Sequence, residues 1–113
     1  MRKKDLLQLY GGEVIGLKIT IEGSTDPSLV GRGGWIIDET QKTLRLRDGE
    51  VEISVPKKGL RFRIVGWKDG HPSQESLQRL GDLVMEGDLL LYRHYERLKK
   101  VDRYLSKRMK KEV

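Results

Sequence analysis

The sequence predicts a mainly β protein: a small barrel of five or six short antiparallel strands, with a short N-terminal helix and a longer C-terminal helix. Three observations support this fold class. Apolar and polar residues alternate in several short runs. Turn-forming residues separate these runs, and helical patterns are confined to the two ends and one excursion near residues 69–80. Short antiparallel strands at such spacing are typical of small barrels.

Strict alternation begins in VIGLKITIE and returns in TLRLR, EVEISV and LRFRIV. In a strand, every second side chain faces the same side of the sheet. We therefore expect the alternate apolar residues to face the core, namely Ile15, Leu17, Ile19, Ile21, Leu44, Leu46, Val51, Ile53, Val55, Leu60, Phe62 and Ile64. GGWIID is a shorter candidate strand, and DLVMEGDLLLY contains a last strand that breaks at Gly87.

The turns between the strands follow from residue chemistry. Asp48 and Gly49 are predicted to form a two-residue hairpin loop, because glycine readily adopts the positive φ of such loops. This register sets two arginines opposite two glutamates on the solvent face, Arg47 with Glu50 and Arg45 with Glu52. DETQKT predicts a longer hairpin. A strand ends at Pro56, which has no N–H for a neighbouring strand.

The glycine-rich stretch STDPSLVGRGG poses a choice between a phosphate-binding loop and a corner of the barrel. A dinucleotide-binding loop requires a third glycine where this chain has Ile36, and the Gly-Lys-Ser/Thr of a P-loop is absent. The stretch instead predicts one helical turn, capped by Asp26 or Thr25, with Pro27 in the first helical position. The glycine pair 33–34 then bends the chain into the next strand.

Length and composition indicate one domain. The 113 residues contain no cysteine, so disulfides and thiolate chemistry are excluded. No apolar run approaches the roughly 18 residues of a membrane-spanning helix, and we expect a soluble, cytoplasmic protein. We divide the single domain 1–113 into an N-terminal segment 1–12, a barrel 13–92 and a basic C-terminal helix 93–113.

No set of residues with catalytic spacing is present. His71 and His94 lie far apart without clustered ligands, and the acidic groups that resemble magnesium ligands, Asp38 with Glu39 and Asp82 with Glu86 and Asp88, lie at turns or strand ends where carboxylates are common. We therefore expect no catalytic residue, no metal site and no cofactor in this chain.

The net charge of +6 resides in residues 93–113, which hold nine basic side chains against three acidic ones. A second group of basic residues follows Pro56 and has no acidic neighbour in sequence. Basic residues without partners are suited to the phosphate backbone of nucleic acid. The predicted RNA-binding residues are Lys57, Lys58, Arg61, Arg63, Arg93, Arg97, Lys99 and Lys100. Because exposed aromatic platforms are scarce, recognition of folded RNA by shape and charge is favoured over base reading.

Apolar residues recur along the C-terminal segment at helical spacing, at Leu98, Val101, Leu105 and Met109. This stripe predicts a helix docked on its own barrel. A helix ordered by a polyanion or a partner helix is the alternative, and the two interpretations do not exclude each other. The stripe lacks Trp and Phe, which disfavours membrane binding.

Three stretches together resemble one known family: GLKITIEGSTDPSLVGRGGWIIDETQKTL, VPKKGLRFRI and EGDLLLYRHYERLKK. They are similar to protein component 1 of archaeal ribonuclease P, which is homologous to a subunit shared by the eukaryotic ribonucleases P and MRP. The resemblance covers roughly three quarters of the chain. It implies a six-stranded Sm-like or OB-like barrel with terminal helices.

The resemblance also implies a function. Such a protein is an RNA-binding scaffold subunit of ribonuclease P, in which the RNA and its magnesium ions remove the 5′ leader from precursor tRNA. Its implied partners are ribonuclease P RNA and a zinc-ribbon protein subunit, with precursor tRNA contacted indirectly. The alternatives are a barrel-type ribosomal or translation-associated RNA-binding protein, a barrel that binds only proteins, and a nuclease active by itself.

Overall fold

The computed structural model describes the backbone of residues 2–92 and 94–112 and the side chains of residues 3–92 and 96–107. Short 3₁₀ turns occupy Pro27–Leu29 and Gly87–Leu91. The helices and strands follow in the order α1 Arg2–Gly11, β1 Leu17–Gly23, β2 Gly33–Glu39, β3 Thr43–Asp48, β4 Val51–Pro56, β5 Arg61–Trp67, α2 Gln74–Leu80, β6 Leu83–Glu86 and α3 His94–Glu112.

The six strands form one antiparallel sheet in the order β4-β3-β2-β1-β5-β6. The sheet curls into a half-barrel. In sequence, α1 precedes the strands, α3 follows them and α2 lies between β5 and β6. This confirms the predicted mainly β class with six antiparallel strands and terminal helices. It also places β4 and β5, which follow each other in the chain, on different sides of β1, β2 and β3.

The core confirms most of the predicted alternation. Leu17, Ile19, Ile21, Leu44, Leu46, Val55, Leu60, Phe62 and Ile64 are buried, and Ile15 and Ile53 are partly buried against them. Val51 is the exception, because it begins the outermost strand beside a hairpin and is 53% exposed. The prediction that Val51 faces the core is therefore wrong.

The hairpin between β3 and β4 is shifted by one residue from the predicted register. Asp48 pairs with Val51, so the two loop residues are Gly49 and Glu50, and Gly49 takes the positive φ of 62°. The predicted pairs Arg47 with Glu50 and Arg45 with Glu52 are wrong. In the structure Arg47 lies opposite Glu52, with an ion pair of 3.6 Å between their side chains, and Arg45 lies opposite Ser54.

The glycine-rich stretch forms a corner, as predicted. Asp26 caps the first 3₁₀ turn: its carboxylate accepts hydrogen bonds from the Ser28 hydroxyl at 2.7 Å and the Ser28 N–H at 3.0 Å. These bonds hold the pKa of Asp26 below its ordinary value. Gly34 has a φ of 154°, and a Cβ there would collide with the backbone carbonyl of Arg47.

The excursion between β5 and β6 contains α2, and a buried histidine links it to the residues before β1. The Nδ1 atom of His71 accepts the N–H of Ser73 at 3.0 Å, so its Nε2 atom carries the proton and donates to the Ile15 carbonyl at 3.0 Å. His71 therefore has a structural role, linking the start of the excursion to the residues before β1.

Helix α1 packs between α2 and α3. Towards α2, the Asp5 carboxylate accepts hydrogen bonds from Arg79 at 2.7 Å and Ser76 at 3.0 Å, and Arg79 is the larger cause of the lowered pKa of Asp5. Towards α3, the Lys3 ammonium pairs with Asp102 at 2.7 Å. Ion pairs thus join α1 to both of the helices that flank it.

Helix α3 docks through part of the predicted apolar stripe. Val101 and Leu105 are buried, whereas Leu98 is 49% exposed and the side chain of Met109 lies outside the described residues. The helix packs chiefly against α1 and the 3₁₀ turn after β6 rather than against the strands. Within the described ranges, no helix has the length and apolar character needed to cross a membrane.

Candidate nucleic-acid interface

Lys57, predicted as a free surface cation, is 1% exposed. It follows Pro56, the last residue of β4, and its side chain points into the protein. Its ammonium group donates to the Glu39 carboxylate at 2.7 Å and to the backbone carbonyls of Thr40 at 2.6 Å and Leu90 at 3.0 Å. These contacts join the end of β2, the following loop and the 3₁₀ turn after β6.

Arg97, in the first turns of α3, is 2% exposed and reaches the same carboxylate. Its guanidinium donates to Glu39 Oε2 at 3.1 Å. The other bonds go to backbone carbonyls, those of Leu90 at 3.0 Å, Tyr92 at 3.1 Å and Tyr10 at 3.3 Å. Arg97 thus links α3 to β2, to α1 and to the segment that immediately precedes α3.

We name Glu39, Lys57 and Arg97 the Glu39 cluster. One carboxylate faces two buried cations, so the formal charge of the cluster is +1. Burial lowers the pKa of Lys57, and the hydrogen bond from Lys57 to Glu39 opposes that shift. The expectation that Lys57 and Arg97 lack partners is wrong, because acidic and carbonyl oxygens distant in sequence converge on both.

The two arginines of β5 also have acidic partners. Arg63 pairs with Glu22 on β1 and with Asp82 before β6, and both raise its pKa, Glu22 more strongly. Arg61 lies 3.5 Å from Glu86 but stays largely exposed. The expectation that both arginines are unpaired is therefore wrong.

The carboxylates that resemble magnesium ligands in the sequence mostly have partners within the protein. Glu39 belongs to its cluster, Asp82 and Glu86 pair with arginines, and Asp88 accepts the N–H of Gly59 at 2.8 Å. Among the described residues, no group of three or more potential ligands could hold a metal ion.

Three of the eight predicted site residues remain exposed without an acidic partner in the described structure: Lys58, Lys99 and Lys100. Arg93 lies outside the described residues. The two lysines of α3 share one side of the helix with two further exposed cations, at positions spaced by four residues. We call these four residues the basic face of α3: Lys99, Lys100, Arg103 and Lys107.

The basic face points away from the buried residues of the same helix. On a helix of 3.6 residues per turn it lies roughly opposite Val101 and Leu105. Glu96 begins the same side, yet no ion pair between it and the four cations is found in the described part of α3. Arg103 and Lys107 were not among the predicted RNA-binding residues, although the four-residue spacing of positions 99, 103 and 107 indicates one side of a helix.

The family model described as "Ribonuclease P/MRP, subunit p29" matches residues 7–100, most of the chain. This chain belongs to that family. Relatives called ribonuclease P protein component 1 are 36% identical in Staphylothermus marinus, across 84% of this chain and 92% of the relative, and 30% identical in Thermoplasma acidophilum, across 86% and 93%.

Two other similarities are narrower. The Halobacterium salinarum relative is 42% identical over 50 residues, which span 44% of this chain and 41% of that protein. A solved structure titled as that of Mth11, a homologue of the human RNase P protein Rpp29, is 28% identical and covers 66% of this chain and 83% of its own, with a TM-score of 0.46.

We predict that Glu39→Gln in this p29 family member lowers the free energy of unfolding by about 3–5 kcal/mol, because it leaves two buried cations without a carboxylate. Urea unfolding followed by circular dichroism measures this change. The matched control is Glu52→Gln, which removes the exposed partner of Arg47 and should cost under about 1 kcal/mol. Equal, small losses in both variants would show that the Glu39 cluster is not a principal source of stability.

Proposed function

We propose that this chain is an RNA-binding scaffold subunit of ribonuclease P, which supports the catalytic RNA in removing the 5′ leader from precursor tRNA. Membership of the p29 family supports this role. The observation that carries the proposal is the basic face of α3, a row of exposed cations on a helix whose other side is anchored by Arg97. A row of this kind fits the regularly spaced phosphates of folded RNA.

The proposed RNA surface comprises the basic face of α3 together with Lys58 and Arg61. Lys58 has no acidic partner in the described structure, and Arg61 keeps most of its side chain exposed beside Glu86. The remaining predicted contacts are reassigned: Lys57, Arg97 and Arg63 stabilise the fold through their acidic partners. Arg93 stays a predicted contact.

We further propose that the zinc-ribbon protein subunit of ribonuclease P binds this chain and that magnesium ions are held by the RNA. The similarity to ribonuclease P protein component 1 supports the first statement. The second agrees with the protein partners of Glu39, Asp82, Glu86 and Asp88, whose oxygens are engaged in ion pairs or hydrogen bonds. In this account the chain contributes binding and positioning, and the RNA contributes the chemistry.

Reconstituted processing of precursor tRNA tests the role in the holoenzyme. We expect 5′ cleavage by the RNA and the other protein subunits to be faster with this chain than without it. The purified chain with magnesium should not cleave the substrate. Cleavage by RNA-free protein would contradict the scaffold role, and copurification of ribosomal RNA in place of ribonuclease P RNA would favour the ribosomal alternative.

A fourfold glutamine variant at Lys99, Lys100, Arg103 and Lys107 tests the RNA surface. We predict weaker binding to ribonuclease P RNA and a log–log salt dependence that is shallower by roughly 0.7–0.9 for each phosphate that the variant no longer neutralises. Filter binding across a salt series measures both quantities. Circular dichroism checks that the fold persists.

The matched control replaces two exposed arginines of the sheet, Arg45 and Arg47, by glutamine. Because these residues lie on β3, away from α3, the control should change the salt dependence little and the stability by under about 1 kcal/mol. If the fourfold variant binds with the parent's affinity and salt dependence, or if the control shows the larger loss, the basic face of α3 is not the RNA surface.

A further inference from the structure

A pocket of about 290 Å³ opens beside the Glu39 cluster. Its walls are formed by the cluster, by the loop residues Thr40 and Gln41, and by Leu90 and Tyr92. Ligand sites in proteins usually span about 300–1,000 Å³, so this pocket is at the small end. A single base or a similar planar group suits it better than a larger molecule.

Tyr92 presents an aromatic surface at this pocket. Its side chain is 38% exposed, while its backbone carbonyl accepts a hydrogen bond from the buried Arg97 at 3.1 Å. The backbone that carries the ring is therefore anchored to α3. The ammonium group of Lys100 lies over one face of the ring, 5.8 Å from its centroid, so a cation of the basic face contacts the aromatic ring.

The charge of the pocket favours an anionic ligand. Lys57 and Arg97 exceed the single carboxylate of Glu39 by one positive charge, and both are buried. Their N–H groups already donate mainly to backbone carbonyls, so the excess charge acts on a ligand through its field. Lys100 is an exposed cation that can approach a phosphate directly.

Gln41 supplies a polar group for a base. It is exposed on the pocket wall, and its side-chain amide has no partner among the residues that the structure describes. An amide offers both donors and an acceptor, which can pair with the edge of a base. The aromatic ring can stack on the face of a base, the free amide can pair with its polar edge, and the adjacent cation can contact the phosphate of the same nucleotide.

We propose that this pocket receives one unpaired nucleotide of the RNA, with its base stacked on the face of the Tyr92 ring away from Lys100 and its phosphate beside Lys100. The inference rests on the proposed function, because it assumes that the basic face of α3 lies along RNA. Single-stranded loops and bulges splay out bases that stack on aromatic side chains. If an RNA helix binds the basic face, a splayed nucleotide next to that RNA helix is within reach of the pocket.

The test compares Tyr92→Leu and Tyr92→Phe in the full chain, with ribonuclease P RNA as the probe. We expect Tyr92→Leu to bind about 5- to 150-fold more weakly, the range for loss of one base–aromatic stack. Tyr92→Phe, which keeps the aromatic face, should bind nearly as well as the parent. The log–log salt dependence should stay unchanged in Tyr92→Phe and change in Tyr92→Leu by no more than about 0.7–0.9, the contribution of the single phosphate beside Lys100.

Tyr104→Leu is the matched control, because Tyr104 is an exposed tyrosine of α3 that does not line the pocket. It should bind RNA like the parent, and thermal unfolding should show all variants folded. Parent-like affinity of Tyr92→Leu would overturn the nucleotide pocket, as would equal losses in Tyr92→Leu and Tyr92→Phe. A parent that does not bind this RNA at all would overturn the proposed function itself.

Discussion

The arrangement of this protein depends on one buried carboxylate, that of Glu39. Two cations from different elements contact it, Lys57 after β4 and Arg97 in α3. A buried ammonium or guanidinium is costly without an acidic partner and further hydrogen bonds. Here Lys57 and Arg97 also donate to several backbone carbonyls, so the β2 end, the 3₁₀ turn after β6 and the start of α3 are held in one geometry.

This constraint divides the positive charge of the chain into two groups. Arginines and lysines that meet acidic residues, such as Lys57, Arg63 and Arg97, hold strands and helices together. The cations of the basic face have no such partners in the described structure and remain available to a polyanion. Because Arg97 and Val101 fix one side of α3, the opposite side is presented in a defined direction. A rigid row of cations loses less conformational freedom on binding than a mobile tail would.

Most of the fold could be predicted from the sequence, because local patterns of apolar and turn-forming residues determine it. Period-two alternation around Leu44, Leu46 and Phe62 predicted the strands correctly, and Asp26 and Gly87 marked a cap and a break. The predicted hairpin loop was wrong by one residue, because Gly49 fits either position of a two-residue loop. The site was harder to predict, since the partner of Lys57 lies 18 positions away and that of Arg97 lies 58 away. No local pattern distinguishes a lysine that will meet such a partner from one that stays in water.

In the arrangement described above, α3 is a fixed part of the folded protein before any RNA is present. Amide hydrogen exchange of the free chain tests it most directly, because protection reports how often a segment opens. We expect the amides of residues 98–107 to be protected to a degree similar to those of α1, on which α3 packs. Exchange of these amides at the rates of an unstructured peptide, while the strands remain protected, would contradict it.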